Sequence, residues 1–134
     1  MARWLIKSEP KSYSWDDLVR DSRTEWDGVR NNAARLHLRA MKVGDEALFY
    51  RSVVEPAIVG IVRVRRGPGP DPKNPDWVSV EVEPVRAFDQ PVTLKAIKAE
   101  PSLVSMELIR QSRLSVAPVR DNEWAKILEM ERSG

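Results

Sequence analysis

At 134 residues the chain is one domain in size, large enough to bury a core without metal or disulfide staples. Cysteine is absent, which excludes disulfides, Cys-zinc sites and thiol nucleophiles and agrees with a reducing compartment. The net charge of +2 is too small to pull the whole molecule onto a polyanion, so charge-driven duplex binding is not expected to be the whole function.

Arg supplies 15 of the 22 basic residues. Its planar fork suits phosphate and base edges, although a GC-rich genome gives the same bias. The opening Met-Ala-Arg-Trp-Leu-Ile turns charged at Lys7, far too early for a signal or membrane segment. A soluble, cytoplasmic protein is expected, with residues 1–134 forming a single domain.

In chain order, Trp4-Leu5-Ile6 reads as a buried strand ended by Pro10. Ser14 then caps a helix in which Asp16 and Asp17 suit the positive end of the dipole. Trp15, Leu18 and Val19 fall at i, i+3 and i+4, which assigns Trp15 to the core.

Trp26-Asp27-Gly28-Val29-Arg30-Asn31 has no hydrophobic period. Its Asp-Gly pair marks a tight turn. A flat ring beside a guanidinium and a carboxamide is what gripping a nucleobase requires. On this segment alone, a buried Trp followed by a capping turn is the simpler reading.

Asn32 to Met41 reads as a helix ending near Gly44, and Glu46 to Ser52 as a buried strand. Ala57 to Arg65 is a further strand, in which Gly60 marks a bulge or a close backbone approach. The Pro- and Gly-rich stretch from Gly67 to Pro75 is expected to be irregular and to serve as a connector or lid. Its prolines remove the backbone donors a phosphate-binding loop needs.

From Trp77 to Phe88 the pattern alternates, with Val78, Val80 and Val82 on one face and Trp77, Ser79 and Glu81 on the other. Trp77 is therefore poorly placed for a core. Thr93 to Glu100 and Ser102 to Arg110 read as two short helices broken at Pro101. Asp121 is expected to cap a final helix with the stripe Trp124, Ile127 and Leu128. Strands and helices do not alternate strictly. An α+β domain around a mostly antiparallel, curved sheet or small barrel is expected.

Catalytic patterns are sparse. His37 is the single histidine and sits inside a predicted helix, so no Ser-His-acid set or His-rich metal motif forms. Neither a metal site nor a cofactor is expected. Glu9 follows a buried strand, and three readings stay open for it: a base, a partner of Lys7, or an acceptor for a ligand.

Four polar clusters stand at element ends, where a scaffold presents recognition groups. They are Lys7-Ser8-Glu9-Pro10, Trp26 to Asn31, Tyr50-Arg51-Ser52, and Arg110-Gln111-Ser112-Arg113-Leu114-Ser115. With Trp77 they offer indoles for stacking and groups for base edges.

These blocks, with Met41-Lys42-Val43-Gly44-Asp45 and Val59-Gly60-Ile61, resemble the EVE domain family from about Arg3 to Leu128. That family has a PUA-like fold and is related to YTH domains. The resemblance implies a curved, mostly antiparallel sheet forming a small barrel flanked by helices. It also implies a non-enzymatic pocket for a modified base, such as methylated or hydroxymethylated cytosine, in nucleic acid that is flipped or single-stranded.

By position, Lys7, Ser8 and Glu9 would line that pocket, with Trp26 as one wall and Arg30 and Asn31 as polar contacts. Tyr50, Arg51 and Ser52 would stand at the adjacent strand end, and Trp77 would be a second aromatic. Gln111, Ser112, Arg113, Leu114 and Ser115 would close the remaining side.

The chain departs from the family pattern in several places. Asn32-Ala33 replaces a usual Tyr-Gln, Arg51 stands where His is common, and Ser112 where Gly is common. The loop from Gly67 to Asp76 is also shorter than in many members. A monomeric reader of a modified base is the expectation. A general RNA-binding module, a nucleotide-processing enzyme and a protein-interaction module are the alternatives.

Overall fold

Alternating apolar residues on the central strands send side chains to two faces, and each face needs its own cover of helices. A computed structural model shows how the chain supplies them, describing residues 2–9, 11, 13–26, 32–53, 55–71, 74–111 and 113–133. The expectations at Asp27 to Asn31 and at Ser112 concern residues outside the described ones.

Strands β1 (Arg3–Ser8), β2 (Thr24–Trp26), β3 (Glu46–Arg51), β4 (Ala57–Asp71), β5 (Asn74–Thr93) and β6 (Val116–Pro118) form one sheet. Their order is β2-β5-β4-β3-β1-β6. Every neighbouring pair is antiparallel except β1 with β3, which runs parallel from Arg3↔Glu46 to Ser8↔Arg51. The fold is therefore α+β with a mostly antiparallel six-stranded sheet. No pairing joins β2 to β6 among the described residues, so the ladder does not close into a barrel.

On one face Trp4, Ile6, Ala47, Phe49, Val62 and Val64 pack beneath α1 (Trp15–Asp21) and α2 (Asn32–Ala40) through Leu18, Ala34 and Leu38. Val78, Val80 and Val82 join this core from β5, as the alternation predicts. On the other face lie Leu5, Leu48, Tyr50, Ile58 and Ile61. They are covered by α3 (Leu94–Ala99), a 3-10 turn (Pro101–Leu103), α4 (Glu107–Arg110) and α5 (Asp121–Ser133). Trp124 and Ile127 are buried here, as their helical spacing requires.

Two local expectations are corrected. The segment from Gly67 is not irregular: β4 extends to Asp71 and β5 starts at Asn74, with Gly69↔Ser79 and Pro70↔Val78 paired. β3 pairs with β4 only as far as Arg63, Val64 bonds on to Asp45 and Gly44, and past Val64 no strand among the described residues pairs with that side of β4. A proline on an unpaired edge gives up no hydrogen bond. Asp121, in turn, is the first residue of α5, and it is Glu123 that accepts the Arg120 backbone N–H at 2.9 Å.

Register breaks on both sides of β4 at one level of the sheet. Tyr50↔Ile58 is followed by Phe49↔Gly60, leaving Val59 as an extra residue on β4. On the other side of β4, Ile58↔Val92 is followed by Gly60↔Ala87, so Phe88 to Pro91 bulge out of β5 at the same level. Bulges bend strands and re-aim side chains, and they concentrate beside sites.

The β5 bulge is anchored from below by Glu131 of α5. Its buried carboxylate accepts the Asp89 backbone N–H at 2.8 Å and binds the Arg86 guanidinium with both oxygens. The Arg86 hydrogen bond holds this carboxyl below its ordinary value of 4.5. A depressed carboxyl contributes stability that is present above its unfolded value and lost as pH falls through the folded one. Glu131→Gln should therefore destabilise the protein by about 2–3 kcal/mol at neutral pH. In urea melts the gap to wild type should shrink below pH 4.5. A gap independent of pH would contradict the anchor.

Candidate functional site

Parallel strands release their chains on the same side of a sheet. β1 and β3 therefore end next to each other at Ser8 and Arg51. Beyond them the Ser8 carbonyl accepts both the Ser52 N–H, at 3.0 Å, and the Ser52 hydroxyl, at 3.2 Å. The chain after β1 then turns, with the Tyr13 N–H bonded to the Glu9 carbonyl at 2.8 Å and the Ser8 hydroxyl donating to the Tyr13 carbonyl. Helix α1 starts at once. Ser14 and Asp17 form a reciprocal capping box at 3.0 and 2.9 Å, an arrangement that stabilises a helix start by about 1 kcal/mol.

The cap places Trp15 at the first position of α1, directly over the sheet. Its six-membered ring lies so close to Gly60 that a Cβ there would be 2.5 Å from it. The ring also meets Phe49 edge-on, with centroids 5.4 Å apart and planes at 75°. Trp26 meets Phe49 from another side at 5.8 Å and 78°. Phe49 thus sits between two indoles, each contact contributing about 0.5–1.5 kcal/mol.

Around these rings is a cleft of about 360 Å³, lined by Ser8, Tyr13, Ser14, Trp15, Asp16, Phe49, Arg51, Val59 and Pro91. That volume falls within the range typical of small-ligand sites, roughly 300–1,000 Å³. The wall is aromatic and aliphatic. The rim carries an exposed carboxylate at Asp16 and the Arg51 guanidinium, which is braced by the Glu55 carbonyl at 2.9 and 3.3 Å. Both bulges serve the cleft, one through Val59 and the other through Pro91.

Of the residues expected at a site, Ser8, Arg51 and Ser52 come together here. Lys7 and Tyr50 point to the opposite face, where the Lys7 ammonium lies 5.8 Å from the Tyr50 ring centroid. Burial lowers the Lys7 pKa and raises that of Tyr50. Glu9 is exposed.

Trp26 is only 8% exposed and belongs to the core, because β2 pairs with β5 through Trp26↔Val80. Leu114 is also a core residue, and the Ser115 carbonyl accepts the Lys7 N–H at 2.9 Å. Gln111 donates from its amide to the Glu107 carboxylate, and Arg113 is exposed. Trp77 lines a different cleft with Arg39 and the hairpin prolines. Arg30, Asn31 and Ser112 fall outside the described residues.

The sequence reading did not single out Tyr13, Trp15, Asp16, Phe49, Val59 and Pro91 as site candidates, and these residues line the cleft. The usable signal was Gly60: a glycine inside a β-branched strand implied a close neighbour, and that neighbour is Trp15. His37, the single histidine, packs on α2 with its ring 5.8 Å from Trp4, and burial lowers its pKa. Among the described residues no group of three or more His, Asp or Glu could hold a metal ion. No described helix is long and apolar enough to cross a membrane.

The structure thus sets an aromatic cleft at the ends of β1 and β3, with directional groups on its rim. The chain belongs to the EVE domain family, whose profile matches residues 2–130. It is 34% identical to human thymocyte nuclear protein 1, over 97% of this chain and 74% of that protein. A Rhodopseudomonas palustris protein solved by NMR superimposes with a TM-score of 0.94 at 42% identity, covering 99% of this chain and 94% of that one. Human THYN1 in complex with DNA containing 5-methylcytosine superimposes with a TM-score of 0.91 at 33% identity, covering 98% of each chain.

Gly60→Ala tests how Trp15 is held. The new methyl group cannot coexist with the ring, so the indole must move. A loss of about 1–3 kcal/mol in denaturant melts is expected, together with a shift in Trp emission. Unchanged stability and emission would show that Trp15 does not rest on Gly60.

Proposed function

We propose that this protein is a non-catalytic reader of methylated cytosine in DNA, and that the base enters the cleft beside Trp15. The observation that carries this reading is the Trp15–Phe49 wall standing next to polar groups at the paired ends of β1 and β3. The complex of the human relative with 5-methylcytosine DNA supports the ligand class.

The chemistry fits such a ligand. A cytosine ring presents an amine donor at N4, and a carboxylate is its usual acceptor, a role open to Asp16. The 5-methyl group adds apolar volume, which Val59 and Pro91 can cover. The Arg51 guanidinium on the rim suits the adjacent phosphate. Trp26 braces Phe49 from within the core.

A base in a duplex cannot reach a recessed cleft, so it must be flipped out or come from a single strand. A monomer suffices, since the cleft is built from one chain. In this reading binding is the whole activity, and a cytoplasmic setting agrees with the cysteine-free composition.

The test is titration of matched oligonucleotides with and without 5-methylcytosine, followed by calorimetry or Trp fluorescence. Wild type should prefer the methylated strand. Trp15→Ala should weaken binding by about 1–3 kcal/mol, the range found for base stacking on one aromatic. Trp26→Ala should chiefly lower stability. Equal affinity for both strands, with Trp15→Ala unaltered, would remove the cleft from the function. Salt-dependent binding without base preference would replace it with a general RNA-binding module.

A further inference from the structure

The β4–β5 hairpin carries its arginines in pairs with acids. Arg63 meets Glu83 at 3.1 Å, Arg65 meets Glu81 at 2.9 Å, and Arg66 meets Glu25 at 2.5 Å. Helix α2 differs. It contains Arg35 and Arg39 one turn apart and no acidic residue at all. Neither arginine forms an ion pair among the described residues.

Arg35 is stacked over Trp77, its guanidinium carbon 4.8 Å from the ring centroid. Its Nε is buried and has no acceptor. Arg39 is exposed, and with Pro68, Gly69, Pro70, Pro75, Asp76, Trp77 and Val78 it lines a cleft of about 380 Å³. This cleft shares no lining residue with the one at Trp15.

A cation stacked on an indole beside an exposed guanidinium that has no ion pair among the described residues matches a phosphodiester. Prolines at the rim suit the apolar faces of sugars and bases. We infer that the groove between α2 and the tip of the β4–β5 hairpin is a second nucleic-acid contact. There Arg35 and Arg39 hold backbone phosphates flanking the recognised base, and the Arg35–Trp77 stack forms the floor. This rests on the reading of the protein as a nucleic-acid binder, but not on which base it reads.

The experiment measures affinity for the matched methylated and unmethylated oligonucleotides across a salt series, using wild type, Arg39→Gln and Arg35→Gln/Arg39→Gln. Each phosphate contact contributes about 0.7–0.9 to the slope of log K against log salt. Arg39→Gln should lower the slope by about that amount and the double variant by about twice it. The ratio of affinities for the two strands should stay at its wild-type value. Arg39 is exposed and makes no stacking contact, so its single variant keeps the test independent of folding.

Slopes equal to wild type in both variants would overturn the second contact while leaving the Trp15 cleft untouched. Lowered slopes in a protein that shows no methyl preference would retain this contact and overturn the base reading. Absence of binding to either strand at every salt concentration would overturn both.

Discussion

The parallel pairing of β1 with β3 is the constraint on which the rest depends. In an otherwise antiparallel sheet it brings two strand ends to one edge, Ser8 beside Arg51. The Ser52 N–H and hydroxyl then bond to the Ser8 carbonyl, tying the two departing chains together. The turn after Ser8 delivers the capping box of α1, and the cap delivers Trp15. An antiparallel register between these strands would send one of the two chain ends to the far side of the sheet.

Core and cleft share their parts. Phe49 is 1% exposed and central to one core, yet its ring forms part of the cleft wall. Trp26 presses on it from the interior and Trp15 from the mouth. Two bulges on either side of Gly60 turn Val59 and Pro91 into the same space, and the Glu131 anchor fixes the second bulge through Asp89. Rigidity of this kind limits the ordering needed on binding, which favours affinity without a large interface. It also means that many changes to the site will register as changes in stability.

Much of the architecture was legible in the sequence. The two-residue alternation of Val78, Val80 and Val82, the helical stripe at Trp124 and Ile127, and the Ser14 cap each encode a local preference that the fold keeps. The strand character of Gly67 to Asp71 was not legible, because turn-rich composition reports local bias and cannot show that, among the described residues, no strand pairs with one edge of β4 there. The tryptophans show how far periodicity reaches. Helical spacing assigned Trp15 to the core, and its ring does pack against that core through Phe49, while its place at the first helical position also sets it at the edge of the cleft. Trp26 lacked any period because β2 is three residues long, yet pairing with β5 buries it. Cross-strand neighbours decide such cases, and one sequence does not name them.

The most direct measurement is an NMR titration of the five Trp indole N–H resonances with a short oligonucleotide containing 5-methylcytosine. The largest displacement is expected at Trp15, while Trp124, buried against the opposite face of the sheet, stays unmoved. The same titration with the unmethylated oligonucleotide should leave Trp15 largely in place. Displacement of Trp124 with Trp15 fixed, or identical responses to both oligonucleotides, would contradict the account.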